Sequence, residues 1–153
     1  MQCLRAAKTA NIVLGMIRRT FTCKDEQTIM QLYKSLARPH LEYCVQAWRP
    51  YLIQDVEMLE KVQRRFTKTV YGFNDLTYEQ RPRRLGITTI EIRRLRGDLI
   101  EVFKIIKGFD KVDYFKFFHL STTGLKDNNL KLFKPSFKRN VGKYTFSNRV
   151  IDS

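Results

Sequence analysis

No G-x-S-x-G elbow, Walker A loop, G-x-G-x-x-G turn or H-E-x-x-H helix occurs in the 153 residues. Their absence removes the hydrolase, nucleotide-binding and zinc-protease chemistries that those motifs carry. Cysteine is scarce and odd in number, Cys3, Cys23 and Cys44, with no C-x-x-C pair. That excludes a disulfide framework and a cysteine-rich zinc module, and it fits a reducing compartment with three free thiols. No apolar run approaches the length of a spanning helix, so no membrane partner is expected. Acid is the other shortage: Asp and Glu number 15 against 29 Lys and Arg, a net charge of +14 with an isoelectric point near 10.0. Such an excess favours nucleic acid or another polyanionic surface as partner.

What is present suffices for a core. The apolar share is 43%, and a chain of this length buries roughly 70% of its unfolded surface without disulfides or metals. The apolar residues recur with helical period. Leu4, Ala7, Ala10, Leu14, Ile17 and Phe21 form a first stripe over 2–19. The acid-poor, Arg-bearing start of that segment resembles a transit peptide, but the plainer reading is an amphipathic helix of the fold, in an intracellular, nuclear or cytoplasmic setting rather than a mitochondrial one. Asp25-Glu26 suits a helix N-terminus ahead of Ile29, Leu32, Tyr33 and Leu36. Pro39 predicts a break or kink, with helix resuming through Leu41, Cys44, Val45 and Trp48. Val56, Leu59, Val62 or Gln63, Phe66 and Val70 predict a helix over 53–70, with Glu57→Lys61 and Glu60→Arg64 as i,i+4 pairs in the favourable orientation. Thr88 and Glu91 match a capping box before a helix whose apolar face is Ile92, Leu95, Leu99, Val102, Phe103 and Ile106.

Past Leu120 the helical period is lost. Residues 130–134 and 143–147 alternate like short strands, with Asn140 and Gly142 near a turn. The expected fold class is mainly α: a helical bundle over residues 1–120, then a basic extension over 121–153 that is irregular or a short β-hairpin.

Catalytic groups are hard to find. Two-metal phosphoryl transfer needs clustered carboxylates, yet Asp25-Glu26 and Asp110 with Asp113 are explained as helix starts. His40 and Cys44 are four apart, but two ligands fall short of the four of a structural zinc. No metal or cofactor is expected. The basic clusters are more informative. Arg64, Arg65 and Lys68 lie along one side of the 53–70 helix. Arg81, Arg83 and Arg84 follow, then Arg93, Arg94 and Arg96. Lys131, Lys134, Lys138, Arg139 and Lys143 are interleaved with Phe133, Phe137 and Tyr144. Arginine forks match phosphate oxygens, and basic residues alternating with aromatics suit nucleic-acid strands. The competing reading is a solvated helix face with pairs such as Arg94→Asp98. The candidate nucleic-acid-binding residues are therefore Arg64, Arg65, Lys68, Arg81, Arg83, Arg84, Arg93, Arg96, Lys131, Lys134, Lys138 and Arg139. Trp48 and most Phe and Tyr residues are expected in the core. Phe133, Phe137 and Tyr144, outside the periodic region, are the exceptions.

Four stretches carry a family likeness: Leu32 to Trp48, with its Leu-Ala-Arg-Pro-His-Leu-Glu-Tyr core; Leu59-Glu-Lys-Val-Gln-Arg-Arg65; Arg84-Leu-Gly86 followed by Glu91-Ile-Arg-Arg-Leu-Arg-Gly-Asp98; and Phe146-Ser-Asn-Arg-Val-Ile-Asp152. In order and over nearly the whole chain, they resemble the region beyond the palm in reverse transcriptases of non-LTR retrotransposons, the jockey-like long interspersed elements. The resemblance implies the helical thumb and the connecting segment after it, which grip the template–primer duplex behind the active site. In that family catalysis belongs to palm carboxylates in a Phe/Tyr-Ala-Asp-Asp motif, and this sequence contains no Asp-Asp. The resemblance starts at the thumb, so it implies no fingers, palm or endonuclease here.

The expectation is a non-catalytic fragment of an RNA-directed DNA polymerase that binds RNA or DNA duplexes through phosphates. The alternative is a helical scaffold whose exposed apolar face meets a palm domain or a second copy, or a non-functional relic of a decayed element.

Overall fold

The computed structural model describes residues 2–22, 25–120, 131–134, 136, 142 and 144–151. Among them the secondary structure is helical: α1 (Gln2–Thr20), α2 (Glu26–Leu32), a π-helical turn (Tyr33–Ala37), α3 (Arg38–Glu42), α4 (Ile53–Thr67), α5 (Gln80–Arg84), α6 (Ile90–Lys107), a 3₁₀ turn (Tyr114–Lys116) and α7 (Phe146–Ile151). The fold is mainly α. None of these helices is long and apolar enough to cross a membrane. The chain divides into two compact units, residues 1–94 and 95–153, and the division falls inside α6.

In the first unit α1 packs against α4, the π turn and α3. Cys3, Ala6, Ala7, Ala10, Leu14 and Ile17 form its buried face, and the three alanines allow close backbone approach. The expected stripe is thus shifted at its start: Leu4 is 60% exposed, and Cys3 and Ala6 face inward instead. Asp25 caps α2 by accepting from the Thr28 amide at 2.9 Å.

Pro39 does not break the helix. It removes the N–H that would reach the Ser35 carbonyl, and the turn before it widens, with the Arg38 amide donating to the Tyr33 carbonyl five residues back. Helix then continues only to Glu42. Cys44 takes a left-handed φ of 52°, so residues 43–47 form turns rather than the expected helix.

In the core of this unit Tyr33 stacks on Phe66 with ring centroids 3.8 Å apart, within a buried cluster that includes Ala10, Ala37, Leu41, Leu59 and Val62. Burying a side chain such as Phe66 contributes about 1.5–3 kcal/mol. Its polar edge is satisfied: the Tyr33 hydroxyl donates to Gln63 Oε1 at 3.1 Å, and Gln63 Nε2 donates to the Thr88 carbonyl at 3.0 Å. Burial, then the nearby Glu42 carboxylate, pushes the Tyr33 phenol well above its ordinary range.

The start of α6 differs from the expected capping box. Thr89, not Thr88, supplies the side-chain cap, accepting from the Ile92 amide at 3.2 Å. The second cap comes from another helix: Glu60 Oε1 on α4 accepts from the Ile90 and Glu91 amides at 2.6 and 3.3 Å. Its Oε2 accepts from the Tyr78 hydroxyl at 3.2 Å. Glu60 is thus an internal cap rather than a surface partner of Arg64.

The buried face of α6 is also rotated from expectation. Ile90, Arg94, Asp98, Val102 and Ile105 are buried, whereas Ile92, Leu99 and Phe103 are exposed. Two charged residues occupy inward positions because the fold satisfies them. Arg94 donates to the main-chain carbonyls of Leu41 and Trp48, and its guanidinium lies 3.9 Å from the Trp48 ring centroid. Arg94 is therefore a buried anchor, not half of an exposed pair. Trp48 itself is half-buried against the core, as expected.

In the second unit Asp98 holds Arg149 by two hydrogen bonds, at 2.8 and 3.1 Å. Val102, Ile105, Phe118 and Val150 form its core, with Phe146 edge-on to Phe118. The expected strand over 143–147 is not seen among the described residues. Gly142's carbonyl accepts from Asn148 Nδ2 and Thr145 Oγ1, and helix α7 follows. Phe146 and Val150, four apart, share the inward face that this helix needs. The described strand-like feature is a single antiparallel bridge between Leu120 and Leu132. Asn140 and most of the proposed hairpin turn lie outside the described residues.

Candidate nucleic-acid interface

The C-terminal end of α4 and the turn after it build a basic surface in the first unit. Arg64 and Arg65 occupy the last turn of α4 and Lys68 its C-cap, where cations complement the helix dipole. The chain then turns sharply. Val70 and Phe73 are buried, and the Phe73 amide donates to the Val70 carbonyl at 3.3 Å. Gly72 supplies the left-handed φ of 76° that such a turn asks of its third residue. With both flanks anchored inward, Tyr71 is thrown outward and is 85% exposed.

Opposite this turn runs one face of α1. Asn11, Gly15 and Arg18, at steps of four and three, line a cleft of about 910 Å³ together with Arg65, Lys68, Tyr71 and Asp75. Arg65 Nη1 donates to Asn11 Oδ1 at 3.1 Å, which directs its guanidinium across the cleft. Neither Arg18 nor Lys68 forms an ion pair with a described residue. Three cations therefore face one cleft that holds a single carboxylate, Asp75.

The other sequence-predicted residues divide into distinct environments. Arg64 points away from this cleft, its guanidinium 4.6 Å from the Tyr78 ring centroid. Burial, then the Glu60 charge, raises the Tyr78 phenol above its ordinary range. Arg81 is buried, donating to the Leu76 carbonyl at 3.0 Å and to Thr67 Oγ1 at 3.3 Å. Arg93 forms a two-pronged bond to Glu42, a carboxylate also shared with Arg38 at 3.4 Å. Arg83 and Arg84 are exposed on α5, with Arg84 over the Phe73 ring at 4.9 Å and 3.8 Å from Glu26. In the second unit Arg96, Lys131 and Lys134 are exposed, as are Phe133 and Tyr144. Lys138, Arg139, Lys143 and Phe137 lie outside the described residues.

The structure thus joins Arg65 and Lys68 into one site and adds Arg18, Gly15 and Tyr71. The signal for Arg18 was the Asn11, Gly15, Arg18 spacing, a stripe beside the apolar face of α1. The inward roles of Arg81 and Arg93 had no local signal, because Thr67 and Glu42 are distant in sequence. Among the described residues no group of three or more His, Cys, Asp or Glu side chains is placed to hold a metal ion. Comparison of the chain with protein-family models, with curated proteins and with solved structures finds no match.

Proposed function

We propose that this chain binds nucleic-acid duplexes through their phosphates and is a non-catalytic, thumb-like portion of a non-LTR retrotransposon reverse transcriptase. The observation that carries the reading is the convergence of Arg18, Arg65 and Lys68 on one open cleft in a chain of net charge +14. Binding through phosphates positions a protein on a duplex without reading its sequence, so little base preference is expected. The family resemblance supplies the retrotransposon part of the proposal. On this reading the purified chain extends no primer on any template with magnesium or manganese.

The test is the salt dependence of binding to a labelled primer–template duplex. Replacing Arg65 and Lys68 with Gln flattens the log–log slope by about two units, at about 0.9 per contact, whereas Arg64→Gln, outside the cleft lining, changes it little. Replacing Lys131, Lys134 and Lys138 leaves most of the affinity. The reverse outcome assigns binding to the basic C-terminal stretch. Absence of salt-sensitive binding by the wild type removes the proposal.

A second reading is favoured by a specific observation: Leu99, Ile100 and Phe103 on α6 are 45–56% exposed. Exposed apolar side chains grouped on one helix mark interaction surfaces, and a scaffold that meets a palm domain or a second copy would use them. Sedimentation analysis tests the second-copy form, in which the chain self-associates and Phe103→Glu abolishes the association.

A further inference from the structure

Gly15 stands in the interior of α1, where glycine is less favourable than alanine. Its usual excuses are missing. It has no left-handed φ, and a Cβ built on it meets no atom within 4 Å, so no packing partner requires its smallness. The space over it belongs to the cleft between α1 and the Lys68–Asp75 turn. A second anomaly faces the same space: Tyr71 is the most exposed of the large apolar side chains among the described residues. The backbone of α1 is thus bare at the point where three cations and one aromatic ring converge.

We infer that this cleft seats the sugar–phosphate backbone of one nucleic-acid strand, which crosses α1 in close contact at Gly15. This rests on the proposed function and deepens it by naming the path of one strand. Arg18 and Lys68 hold phosphates on either side of the crossing. Arg65, steered by Asn11, holds one between them. Tyr71 covers a sugar or an unpaired base with its ring face, the sequence-tolerant contact that aromatics make with strands. Asp75 marks the edge of the path, since a carboxylate repels phosphate. A volume of about 910 Å³ lies within the range of ligand clefts.

The experiment uses the full chain and one labelled primer–template duplex, with variants Gly15→Ala, Gly15→Leu, Arg18→Gln and Tyr71→Ala. Melting temperature is recorded for each. Gly15→Ala raises the melting temperature by about 2–4 °C, because it removes a helix-interior glycine. Gly15→Leu leaves the fold intact and blocks the crossing. Its log–log salt slope falls by about two to three units, as if the cleft contacts were lost together. Arg18→Gln lowers the slope by about one unit, and Tyr71→Ala weakens binding about tenfold at fixed salt with little change in slope. If Gly15→Leu and Tyr71→Ala bind like wild type while the Arg65 and Lys68 variant loses slope, the strand passes elsewhere. This inference then fails while the proposed function stands. If the wild type shows no salt-sensitive binding, both fail. If heparin competes without any variant altering its affinity, the cleft is not the site for polyanions at all.

Discussion

Glu60→Ala is the substitution that most sharply separates surface from interior roles on α4. A surface glutamate paired with Arg64 at i,i+4 contributes about 0.3–0.5 kcal/mol. The structure gives Glu60 three hydrogen bonds instead, to two free amides of α6 and to Tyr78. The Ile90 amide belongs to a residue 1% exposed, so water does not replace the lost acceptor. An unsatisfied buried donor costs about 1–3 kcal/mol, and hydrogen bonds to a charged group contribute about 1.5–3 kcal/mol each before that loss is counted. Allowing for overlap, and for the charge on the helix dipole, Glu60→Ala destabilises by about 3–5 kcal/mol. Glu60→Gln keeps an acceptor and costs about 1–2 kcal/mol. Urea unfolding measures both, with Glu57→Ala as the exposed control within about 0.5 kcal/mol. A Glu60→Ala midpoint shift no larger than that of Glu57→Ala would refute the inter-helix cap and return Glu60 to the surface.

Further outcomes follow from other contacts. Tyr33 is neutral in the folded state, and its phenol is held above the value of about 10 that it has in the unfolded chain. Above that pH the unfolded state releases a proton that the folded state retains, so stability is full below pH of about 10 and falls above it. Denaturation followed from neutral to alkaline pH shows the fall, and Tyr33→Phe makes it shallower. Arg94→Met removes the donors held by Leu41 and Trp48 and costs about 3 kcal/mol or more, and Arg94→Lys restores little because it lacks the planar fork. Native thiol labelling modifies Cys44 quickly and the buried Cys3 only on unfolding. Asp98→Asn weakens the hold on Arg149 and lowers hydrogen-exchange protection across 146–151.

The helices were legible where apolar residues do their own sorting. The stripes of α1 and α4 and the Asp25 cap follow from spacing and local chemistry. The errors share a cause in long-range polar contacts. Arg94 and Asp98 lie inward on α6 because partners elsewhere in the chain satisfy them, so a pattern that counts only apolar residues turns the helix by about a quarter of its circumference. The role of Glu60 is hidden from local spacing for the same reason, since its amide partners lie thirty residues away. The break or kink expected before Pro39 is a π turn, because the wider turn absorbs the missing donor. Of the candidate site, arginine type and net charge were visible in the sequence, but the sorting of Arg65 from Arg81 and Arg93 required the packing. The α7 helix was hidden by Thr145, whose β-branched side chain reads as strand while its hydroxyl bonds Gly142 at the helix start.

The most direct measurement is hydrogen exchange by mass spectrometry on the full chain with and without a saturating primer–template duplex, at about 50 mM salt and again at about 200 mM. The account predicts added protection confined to peptides covering 11–20 and 65–75, which largely disappears at the higher salt. Protection that appears instead only in peptides covering 131–151, or none at either salt, would contradict it.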